Sequence, residues 1–424
     1  MIEIITIEDK EKIERIKNRN KENFELALSR VAPIVKDIKT LGDKALFRYI
    51  KKYDCFEASK NNILVREKEI KAAYKKVNTK KIEAIKKAKE NIERYCRLQL
   101  PIELIKEAEE GIRLGWLLRP IEKVGCYIPG GRFPLISTVL MTVVPARFSG
   151  VDEVIVCSPP RENNYELYVA ADIAGADRIY RIGGAQAIAA MAYGTESVQV
   201  VDKIVGPGNI FVAAAKKLVY GDVGIDFIAG PTELLILAER GNPSFIASDM
   251  IAQAEHDAMA SSILVTTNKN LANKVKEEIN VQLKRTKKIS FASESLRKYG
   301  AIIIVSKLDE AIEFANRFAP EHLQIIVDNK EKVIAKLRNF GSLFIGEYSP
   351  EAAGDYASGT NHVLPTGGTA RFRSGLSVFD FIRMPSIQEL SKDGLKKLKE
   401  TIETIAYIEG LEGHRESIKT RFER

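Results

Sequence analysis

The sequence predicts an α/β fold with mostly parallel sheets, and three observations support this. The chain has 424 residues, which suggests two or three domains at about 100–200 residues per domain. From about residue 125 onward, short apolar runs alternate with helical stretches, as they do in α/β layers. Apolar residues make up 45% of the chain and charged residues 29%, an ordinary globular composition that excludes disorder and fibrous repeats.

The first 120 residues are predicted to be rich in charged helix. Ile82, Ile85 and Ile92 recur at helical spacing, with lysines between them. This part holds 29 Lys and Arg against 20 Asp and Glu, whereas the remainder holds 36 against 37. The net charge of +8 therefore comes from this part. A solvated helical face explains it better than a groove for nucleic acid, because no aromatic residues interleave to stack on bases.

The rest of the chain begins with a turn-rich segment, 125–131 (GCYIPGG). Apolar runs then predict strands at residues 152–157, 203–205, 234–238, 262–265, 301–305, 323–327 and 342–345. Helices are predicted near residues 244–260, 270–286 and 308–318, and after the turns at 183–184 and 206–209. Beyond residue 380 a charged helical pattern returns and predicts a helical tail.

Membrane and disulfide classes are not indicated by the sequence. The best apolar run, residues 134–145, is shorter than the ~20 residues that span a bilayer, and the acidic N-terminus is unlike a secretory signal. We therefore expect a soluble, cytoplasmic protein with neither a membrane nor a nucleic acid as partner. Four cysteines are widely spaced without a C-x-x-C pair, which argues against a disulfide framework and a thiolate zinc site: Cys55, Cys96, Cys126 and Cys157.

Nucleotide-binding signatures are weak. The chain has no G-x-x-x-x-G-K-[ST] motif. The segment 206–208 (GPG) approaches G-x-G-x-x-G, but Phe211 stands at the third glycine position. Taken alone, this segment is better explained by a turn between a strand and a helix.

Histidine is rare, and each one lies beside a carboxylate or another polar group: His256, His322, His362 and His414. Asn242 and Pro243 predict the start of a helix. Helical spacing places Gln253 on the same buried stripe as Ile246, with His256 beside it. A buried amide needs partners. A metal or polar substrate and an internal hydrogen-bonded pair remain equally open.

A second histidine follows a carboxylate at a predicted strand start. Pro320 ends the preceding helix, and Glu321 and His322 then open a strand. This pair is suited to proton transfer, and a surface salt pair is the alternative. The polar, glycine-rich segment 354–368 carries Asp355 and His362 without helical or strand period, which is typical of a functional loop.

The segment from Glu409 to His414 adds another carboxylate and imidazole. Together with the Asp, Gln and His residues above, it offers a nitrogen and oxygen ligand set suited to Zn²⁺ or a similar divalent ion.

Nine motifs in order along the chain resemble the histidinol dehydrogenase family. They are 125–131 (GCYIPGG), 134–141 (PLISTVLM), 183–190 (GGAQAIAA), 206–209 (GPGN), 229–233 (AGPTE), 253–256 (QAEH), 319–322 (APEH), 361–365 (NHVLP) and 409–414 (EGLEGH). The resemblance implies oxidation of L-histidinol to L-histidine through the aldehyde with two NAD⁺, the last step of histidine biosynthesis. It also implies one Zn²⁺ per subunit and a homodimer with a shared active site.

The same resemblance implies roles for individual residues. Glu321 and His322 look like the catalytic pair, and Tyr127, Gln186 and Asn209 match the family's NAD contacts. The zinc ligands implied are Gln253, His256, Asp355 and His414, the last supplied by the partner subunit. The implied substrate contacts are Thr232, Gln253, His256, His322, Asp355, His362, Glu409 and His414.

The fold implied by the resemblance has two incomplete Rossmann-like domains of the aldehyde dehydrogenase type, with small helical extensions at both ends. Residues 1–21 form the N-terminal extension, and residues 22–126 with 233–376 form the first domain, which carries the zinc and catalytic residues. Residues 127–232 form the second domain, which carries the NAD contacts. Residues 377–424 form a C-terminal extension for dimerisation and metal-ligand supply.

Two departures from the family pattern and two rival functions complete the predictions. Thr232 stands where serine is common, and Asp257 stands where glycine often follows the histidine. In one rival, Cys126 is the nucleophile of a thiohemiacetal-forming aldehyde dehydrogenase. In the other, the basic chain binds nucleic acid.

Overall fold

The structure is a computed structural model that describes residues 2–19, 21–130, 135–285 and 290–423. Two motif residues named above, Gly131 and Pro134, and the predicted end of a helix at residue 286 lie outside these ranges. Within the described ranges, no helix combines the length and the apolar character needed to cross a membrane.

The helices follow in chain order. They are α1 (Lys10–Asn18), α2 (Lys21–Leu41), α3 (Asp43–Asp54), α4 (Glu67–Tyr74), α5 (Thr79–Gln99), α6 (Ile136–Phe148), α7 (Tyr165–Ala174), α8 (Gly184–Tyr193), α9 (Ile210–Val219), α10 (Pro243–Ala254), α11 (Lys269–Arg285), α12 (Ser290–Tyr299), α13 (Leu308–Phe318), α14 (Lys330–Lys336), α15 (Glu351–Tyr356), α16 (Lys392–Ile408) and α17 (Glu412–Lys419).

The strands also follow in chain order. They are β1 (Ile4–Thr6), β2 (Leu104–Glu109), β3 (Ile112–Trp116), β4 (Arg119–Pro120), β5 (Lys123–Tyr127), β6 (Glu153–Ser158), β7 (Arg178–Arg181), β8 (Lys203–Val205), β9 (Gly224–Ile225), β10 (Glu233–Ala238), β11 (Ser261–Thr266), β12 (Ala301–Ile304), β13 (His322–Ile326), β14 (Ser342–Ile345), β15 (Ile382–Arg383) and β16 (Ser386–Leu390).

A parallel six-stranded sheet has the order β1-β12-β11-β10-β13-β14. Successive side chains of β10 point to opposite faces. Leu235 belongs to a core with residues of α1, α13 and α14, whereas Leu234 and Ile236 belong to a core with residues of α10, α11 and α12. Helices therefore cover both faces, as expected for a buried parallel sheet.

A parallel five-stranded sheet has the order β7-β6-β5-β8-β9. On one face Val154 packs with residues of α5, α6 and α7, and on the other Ile155 packs with residues of α2, α3, α8 and α9. Helices from the first 99 residues thus pack with this sheet, whereas the prediction grouped residues 22–126 with 233–376. The predicted domain boundaries as a set stay a prediction.

By its internal contacts the chain divides into two compact units. The first comprises Met1–Gln99 with Ile121–Phe381, and the second comprises Leu100–Pro120 with Ile382–Arg424. Both parallel sheets belong to the first unit. The second holds an antiparallel sheet of order β16-β3-β2, the pair β15-β4, and helices α16 and α17.

The predicted α/β class with parallel sheets is confirmed, and the seven predicted strands lie within one or two residues of observed ones. The predicted helical pattern beyond residue 380 is confirmed by α16 and α17, and the two short strands β15 and β16, which were not predicted, precede them. The strand β16 forms by pairing with β3, whose residues lie far away in the chain, so the local pattern gave no sign of it. The strand β5 was hidden within a turn-rich motif, since glycine interrupts its apolar run.

Candidate active site

A cavity of about 690 Å³ in the first unit is lined by residues from both parallel sheets. The six-stranded sheet contributes the segments that lead into β10, β11 and β13. The five-stranded sheet contributes the segments that follow β5 and β8. The two sheets thus present opposite edges to one space, the amino ends of one set of strands and the carboxyl ends of the other.

Glu321 is held at the start of β13. Helix α13 ends at Phe318, and Ala319 adopts a left-handed conformation, with φ 53°, that turns the chain toward the strand. The Glu321 carboxyl is buried. Its Oε2 lies 2.5 Å from the Thr232 hydroxyl oxygen and accepts from the backbone N–H of Glu233 at 2.9 Å. Burial raises the pKa of Glu321 to about 8, which places it near the range useful for general acid–base catalysis.

His322 is fixed in one tautomer by its backbone partner. Its Nδ1–H donates to the Glu233 carbonyl at 3.1 Å, since a carbonyl can only accept. Its Nε2 is buried and has no hydrogen-bond partner among the described residues. The nearest acidic atom recorded for Nε2 is an oxygen of Asp355 at 3.8 Å. Burial lowers the pKa of His322 to about 3, so the ring is neutral and Nε2 keeps a free lone pair.

The alternative of a surface salt pair for Glu321 and His322 is wrong, because both side chains are buried. A buried, unpartnered imidazole nitrogen is costly for folding. It is therefore the strongest structural sign that this cavity is built to receive a polar group.

A group of three side chains beside this pair has the composition of a metal site. One ligand atom each from His256, Glu351 and Asp355 lies within 4.8 Å of the others. His256 Nε2 and an oxygen of Asp355 are 4.0 Å apart, and the imidazole is 45% exposed. Burial raises the pKa of Asp355 to about 7 and, together with repulsion from that carboxyl, raises the pKa of Glu351. A cation would relieve this repulsion.

The amide of Gln253 supports the same interpretation. Gln253 is fully buried on α10, whose predicted start is confirmed by the Asn242 side chain accepting from the Ser244 N–H at 2.9 Å. In one orientation its NH₂ donates to the Glu351 carboxylate and its oxygen accepts the Thr232 hydroxyl at 2.6 Å. In the other its oxygen faces the Glu351 carboxyl oxygens, an arrangement that a bound cation or a proton on the carboxyl makes favourable. An oxygen and nitrogen donor set of this kind fits Zn²⁺ or a similar ion.

Glu351 is the site residue that sequence reasoning missed. It opens α15, four residues before Asp355, so both carboxyls lie on one face of that short helix. Predicting a loop without helical structure over residues 354–368 was therefore wrong for its first three residues. The Glu-x-x-x-Asp spacing after Pro350 was the available signal, because proline followed by an acidic residue is a typical helix start.

Comparison with known proteins decides the family. The sequence profile of histidinol dehydrogenase matches residues 17–422 of this chain. The chain belongs to the histidinol dehydrogenase family.

Individual histidinol dehydrogenases are similar over nearly their whole length. The protein of Methanothermobacter thermautotrophicus is 47% identical over 425 residues, covering 99% of both chains. The protein of Clostridium acetobutylicum is 50% identical over 408 residues, covering 95% of this chain and 94% of its own. The crystal structure of the Elizabethkingia anophelis enzyme superposes with a TM-score of 0.89 at 40% identity, covering 93% of this chain and 91% of that one. Histidinol dehydrogenases are oxidoreductases.

Among the residues implied by the family, His362 lies close to the metal group. Its Nδ1–H donates to the Asp355 carbonyl at 3.0 Å, and its Nε2 is 3.4 Å from the hydroxyl of Thr138. Burial lowers the pKa of His362 to about 4, so it is a neutral part of the cavity wall. Of the two departures from the family pattern, Thr232 keeps its hydroxyl on Glu321, and Asp257 lines the cavity beside His256.

Glu409 and His414 belong to the second unit, where Glu409 follows α16 and His414 lies on α17, both exposed. The first unit therefore brings together three of the four implied zinc ligands, with Glu351 beside them. The role of His414 stays a prediction of the family resemblance.

The three residues for which the resemblance implies dinucleotide contacts lie at the carboxyl edge of the five-stranded sheet. Asn209 lines the cavity and caps α9 by accepting from two backbone N–H groups, of Phe211 at 3.0 Å and of Val212 at 3.1 Å. Tyr127 and Gln186 are buried nearby: the tyrosine hydroxyl accepts from the Gly184 N–H at 3.0 Å, and the glutamine donates to Asp54 at 2.9 Å.

A buried ion pair holds the turn that carries Asn209. Lys216 Nζ contacts an oxygen of Asp226 and the carbonyl of Gly206, each at 2.5 Å, while Asp226 accepts from the Gly206 N–H at 2.7 Å. Gly206 has φ +115°, and a Cβ there would collide with the Tyr127 carbonyl. The N–H and the carbonyl of Gly206 are thus both hydrogen-bonded to charged side chains.

The rival in which Cys126 is a nucleophile finds no support in this histidinol dehydrogenase. The thiol is fully buried in the core of the five-stranded sheet, and burial raises its pKa to about 12. A reactive cysteine needs a lowered pKa and access to substrate.

Proposed function

We propose that this chain is a zinc-dependent histidinol dehydrogenase. It oxidises L-histidinol through L-histidinaldehyde to L-histidine with two NAD⁺, as the last step of histidine biosynthesis. The observation that carries the proposal is that one cavity is lined by a neutral imidazole with a free nitrogen, a perturbed carboxyl and a group of metal ligands. Membership of the histidinol dehydrogenase family supports the substrate.

The metal ligands proposed are Gln253, His256 and Asp355, with His414 from a second copy of the chain. When bound, Zn²⁺ would orient the imidazole and amine nitrogens of histidinol, which are good ligands for this ion. Glu351 is close enough to hold Gln253 or to join the ligands itself. This arrangement requires a homodimer with a shared active site.

The alcohol step needs a base at the substrate hydroxyl. His322 Nε2 accepts that proton, because its lone pair is free and Nδ1 is committed to the Glu233 carbonyl. The carboxylates of Asp355 and Glu351, which lie 3.8 and 3.6 Å from the ring nitrogens, stabilise the imidazolium that forms.

The aldehyde step needs water added to the carbonyl carbon before the second hydride leaves. Glu321 in its ionised form accepts a proton from that water. Its hydrogen bonds to Thr232 and Glu233 aim the carboxyl and limit how far it moves. Keeping both steps in one enclosed site prevents a reactive aldehyde from escaping.

The dinucleotide contacts proposed are Tyr127, Gln186 and Asn209. NAD⁺ would accept a hydride in each of the two oxidations. The first turns of α6 and α9 line the cavity, and helix N-termini favour the negative charge of a pyrophosphate.

The proposed substrate contacts are Thr232, Gln253, His256, His322, Asp355, His362, Glu409 and His414. Five of them support this proposal by lining the cavity: Thr232, His256, His322, Asp355 and His362. Thr232 adds a methyl group to the hydroxyl that the family's usual serine supplies, so it narrows the space available to the substrate. We also propose that the enzyme acts in the cytoplasm, without a nucleic acid or a membrane as partner.

NADH formation from L-histidinol by the purified protein tests the proposal. We expect two NADH per histidinol, loss of this activity after chelation, and recovery when Zn²⁺ is added back. Adding Mg²⁺ instead is the control, because its preference for octahedral oxygen ligands does not match this site. Absence of NADH from the zinc-loaded protein, or activity untouched by complete metal removal, would refute the proposal.

A further inference from the structure

The guanidinium of Arg19, directly after α1, is buried against the segments that carry the site. Its side chain is only 2% exposed. Its hydrogen bonds reach the carbonyls of Ile16 at 2.7 Å, Met259 at 2.8 Å, Pro231 at 3.0 Å and Thr232 at 3.4 Å, and the carboxylate of Glu233 at 3.0 Å. A guanidinium has five N–H donors in a rigid fork, and here they join three separate stretches of chain.

Two of these stretches carry the candidate site. Met259 lies three residues after His256, in the segment between α10 and β11. The stretch 231–233 leads into β10 and includes Thr232, whose hydroxyl contacts both Glu321 and Gln253. Arg19 therefore ties the segment that carries a metal-group histidine to the segment that holds the catalytic carboxyl.

Glu233 connects Arg19 to the catalytic pair through its backbone. Its carbonyl accepts from His322 Nδ1 at 3.1 Å, and its N–H donates to Glu321 at 2.9 Å. The Glu233 carboxylate is itself buried beside Arg19. Without the guanidinium, the Glu233 carboxylate would be a buried charge with no ion-pair partner. The segment 231–233 at the start of β10 would then have to rearrange.

Lys12, on helix α1 itself, makes a contrasting contact. It is a buried cation as well, with its side chain 8% exposed, and its Nζ lies 3.2 Å from the Glu3 carboxylate and 3.3 Å from the Arg297 carbonyl. These partners belong to the β1 and α12 region of the six-stranded sheet. Lys12 thus docks α1 on the sheet, whereas Arg19 reaches the segments of the site.

We propose that Arg19 is a positioning residue of the active site, through which the N-terminal segment fixes the His256–Met259 turn against the entry to β10. The inference rests on the proposed function for its kinetic consequences. It assigns the basic N-terminal segment a part in catalysis beyond covering the sheet.

The test compares Arg19→Met, Arg19→Lys and Lys12→Met in the full-length, zinc-loaded protein. We measure kcat and the KM values for L-histidinol and NAD⁺, the zinc affinity by competition with a chelator, and the melting temperature. Removing a group that orients metal ligands typically costs about 10–100-fold in metal affinity or activity. Arg19→Met is therefore expected to lose about tenfold or more in zinc affinity and kcat, with the KM for NAD⁺ unchanged.

Lys12→Met is expected to lower the melting temperature while keeping wild-type kcat and zinc affinity. Arg19→Lys keeps the charge but not the fork, so it should recover part of the loss. If folded Arg19→Met has the kcat and the zinc affinity of the wild-type protein, whatever its melting temperature, the proposal is overturned. If Arg19→Met does not fold, the Arg19→Lys variant provides the test. Wild-type kcat and zinc affinity in Arg19→Lys would then overturn the proposal.

The zinc competition separates this inference from the proposed function. If wild-type protein fails to oxidise histidinol, the proposed function falls, yet the zinc affinities of Arg19→Met and Lys12→Met can still be compared. A loss confined to Arg19→Met then supports Arg19 as the residue that orients the metal group, and equal affinities contradict it.

Discussion

The two parallel sheets meet the cavity with opposite edges, and this difference explains their separate tasks. The six-stranded sheet presents the amino ends of β10, β11 and β13, and helices α10 and α13 end just before β11 and β13. The five-stranded sheet presents the carboxyl ends of β5 and β8, where α6 and α9 begin. Helix C-termini favour cations and helix N-termini favour anions. The first edge is therefore suited to a metal ion, and the second to a dinucleotide phosphate.

The side chains at the two edges also differ, in a way that matches these separate tasks. The amino edge carries buried titratable groups, notably Glu321 and His322, whose pKa values burial moves to about 8 and about 3. The carboxyl edge lines the cavity with glycines and neutral polar groups such as Gly208 and Asn209, and its buried ion pair of Lys216 and Asp226 is not part of that lining. Ligands in open α/β sheets usually bind at carboxyl ends. Under the proposed function the dinucleotide follows that rule at the five-stranded sheet, whereas the metal ion and the reacting groups depart from it at the six-stranded sheet.

The largest expected effect comes from removing the base at the amino edge. Glu321→Gln should slow the oxidation of histidinaldehyde by about 10²–10⁴-fold, the usual contribution of a general base, and slow the oxidation of histidinol to the aldehyde less. Single-turnover NADH formation from each substrate measures both steps. Glu239→Gln, just beyond the other end of β10, is the control. Equal losses in the two steps would contradict the separate roles of Glu321 and His322.

The pH dependence of the aldehyde step tests the same role of Glu321 as a base. Only ionised Glu321 accepts a proton, and burial raises its pKa to about 8. The aldehyde step of the wild-type enzyme should therefore rise with pH and level off above about 8, and Glu321→Gln should lose this rise. A wild-type rate that falls over this range would show that the protonated carboxyl is the active form.

At the carboxyl edge, the next largest effect is expected from Lys216→Met. Breaking one side of a buried ion pair costs about 3–5 kcal/mol of folding stability, and here it also frees the Gly206 carbonyl. We expect a lower free energy of unfolding in urea and a raised KM for NAD⁺, with the KM for histidinol unchanged. Lys203→Met, which breaks an ion pair with Asp380 at the other end of β8, should lower stability alone. An unchanged KM for NAD⁺ in Lys216→Met would contradict a role for this turn in dinucleotide binding.

Returning to the amino edge, Glu351→Gln tests the residue that the sequence did not reveal. Zinc affinity should fall by about 10–100-fold, because the variant removes a carboxylate that contacts Gln253 and lies within the metal group. Chelator competition measures this, with Glu347→Gln, outside the metal group, as control. If Glu351→Gln binds zinc as tightly as the wild-type protein, Glu351 is not part of the metal site.

The smallest effect is expected from Cys126→Ser in the core beneath the carboxyl edge. Its buried thiol has a raised pKa, so oxidation of histidinaldehyde per folded molecule should stay at the wild-type rate. Loss of aldehyde oxidation in a variant with an unchanged melting temperature would restore the thiohemiacetal alternative.

The predictable parts of the molecule are those that local pattern determines. Apolar runs flanked by turn residues located β10 to β14, and Asn242 with Pro243 located the start of α10. The buried stripe of that helix located Gln253. The residue types of Glu321 and His322 indicated proton transfer, and the resemblance added their catalytic roles. The structure showed that both side chains are buried rather than paired at the surface.

The parts that could not be predicted depend on contacts between distant segments. The strand β16 exists because it pairs with β3. The spacing after Pro350 could have indicated helix α15, but only the approach of α15 to Gln253 and His256 shows that Glu351 belongs to the metal group. The part played by Arg19 depends on carbonyls more than two hundred residues away in the chain. No residue spacing within one segment carries such information.

The most direct test of the central claim is a crystal structure of the protein with Zn²⁺ and L-histidinol, using anomalous scattering to locate the metal. We expect one zinc peak per subunit, bonded to Gln253, His256, Asp355 and the partner subunit's His414, with histidinol nitrogens in the remaining positions and His322 Nε2 facing the substrate hydroxyl. Zinc bound elsewhere, with these side chains out of bonding distance of any ion, would contradict the proposed function.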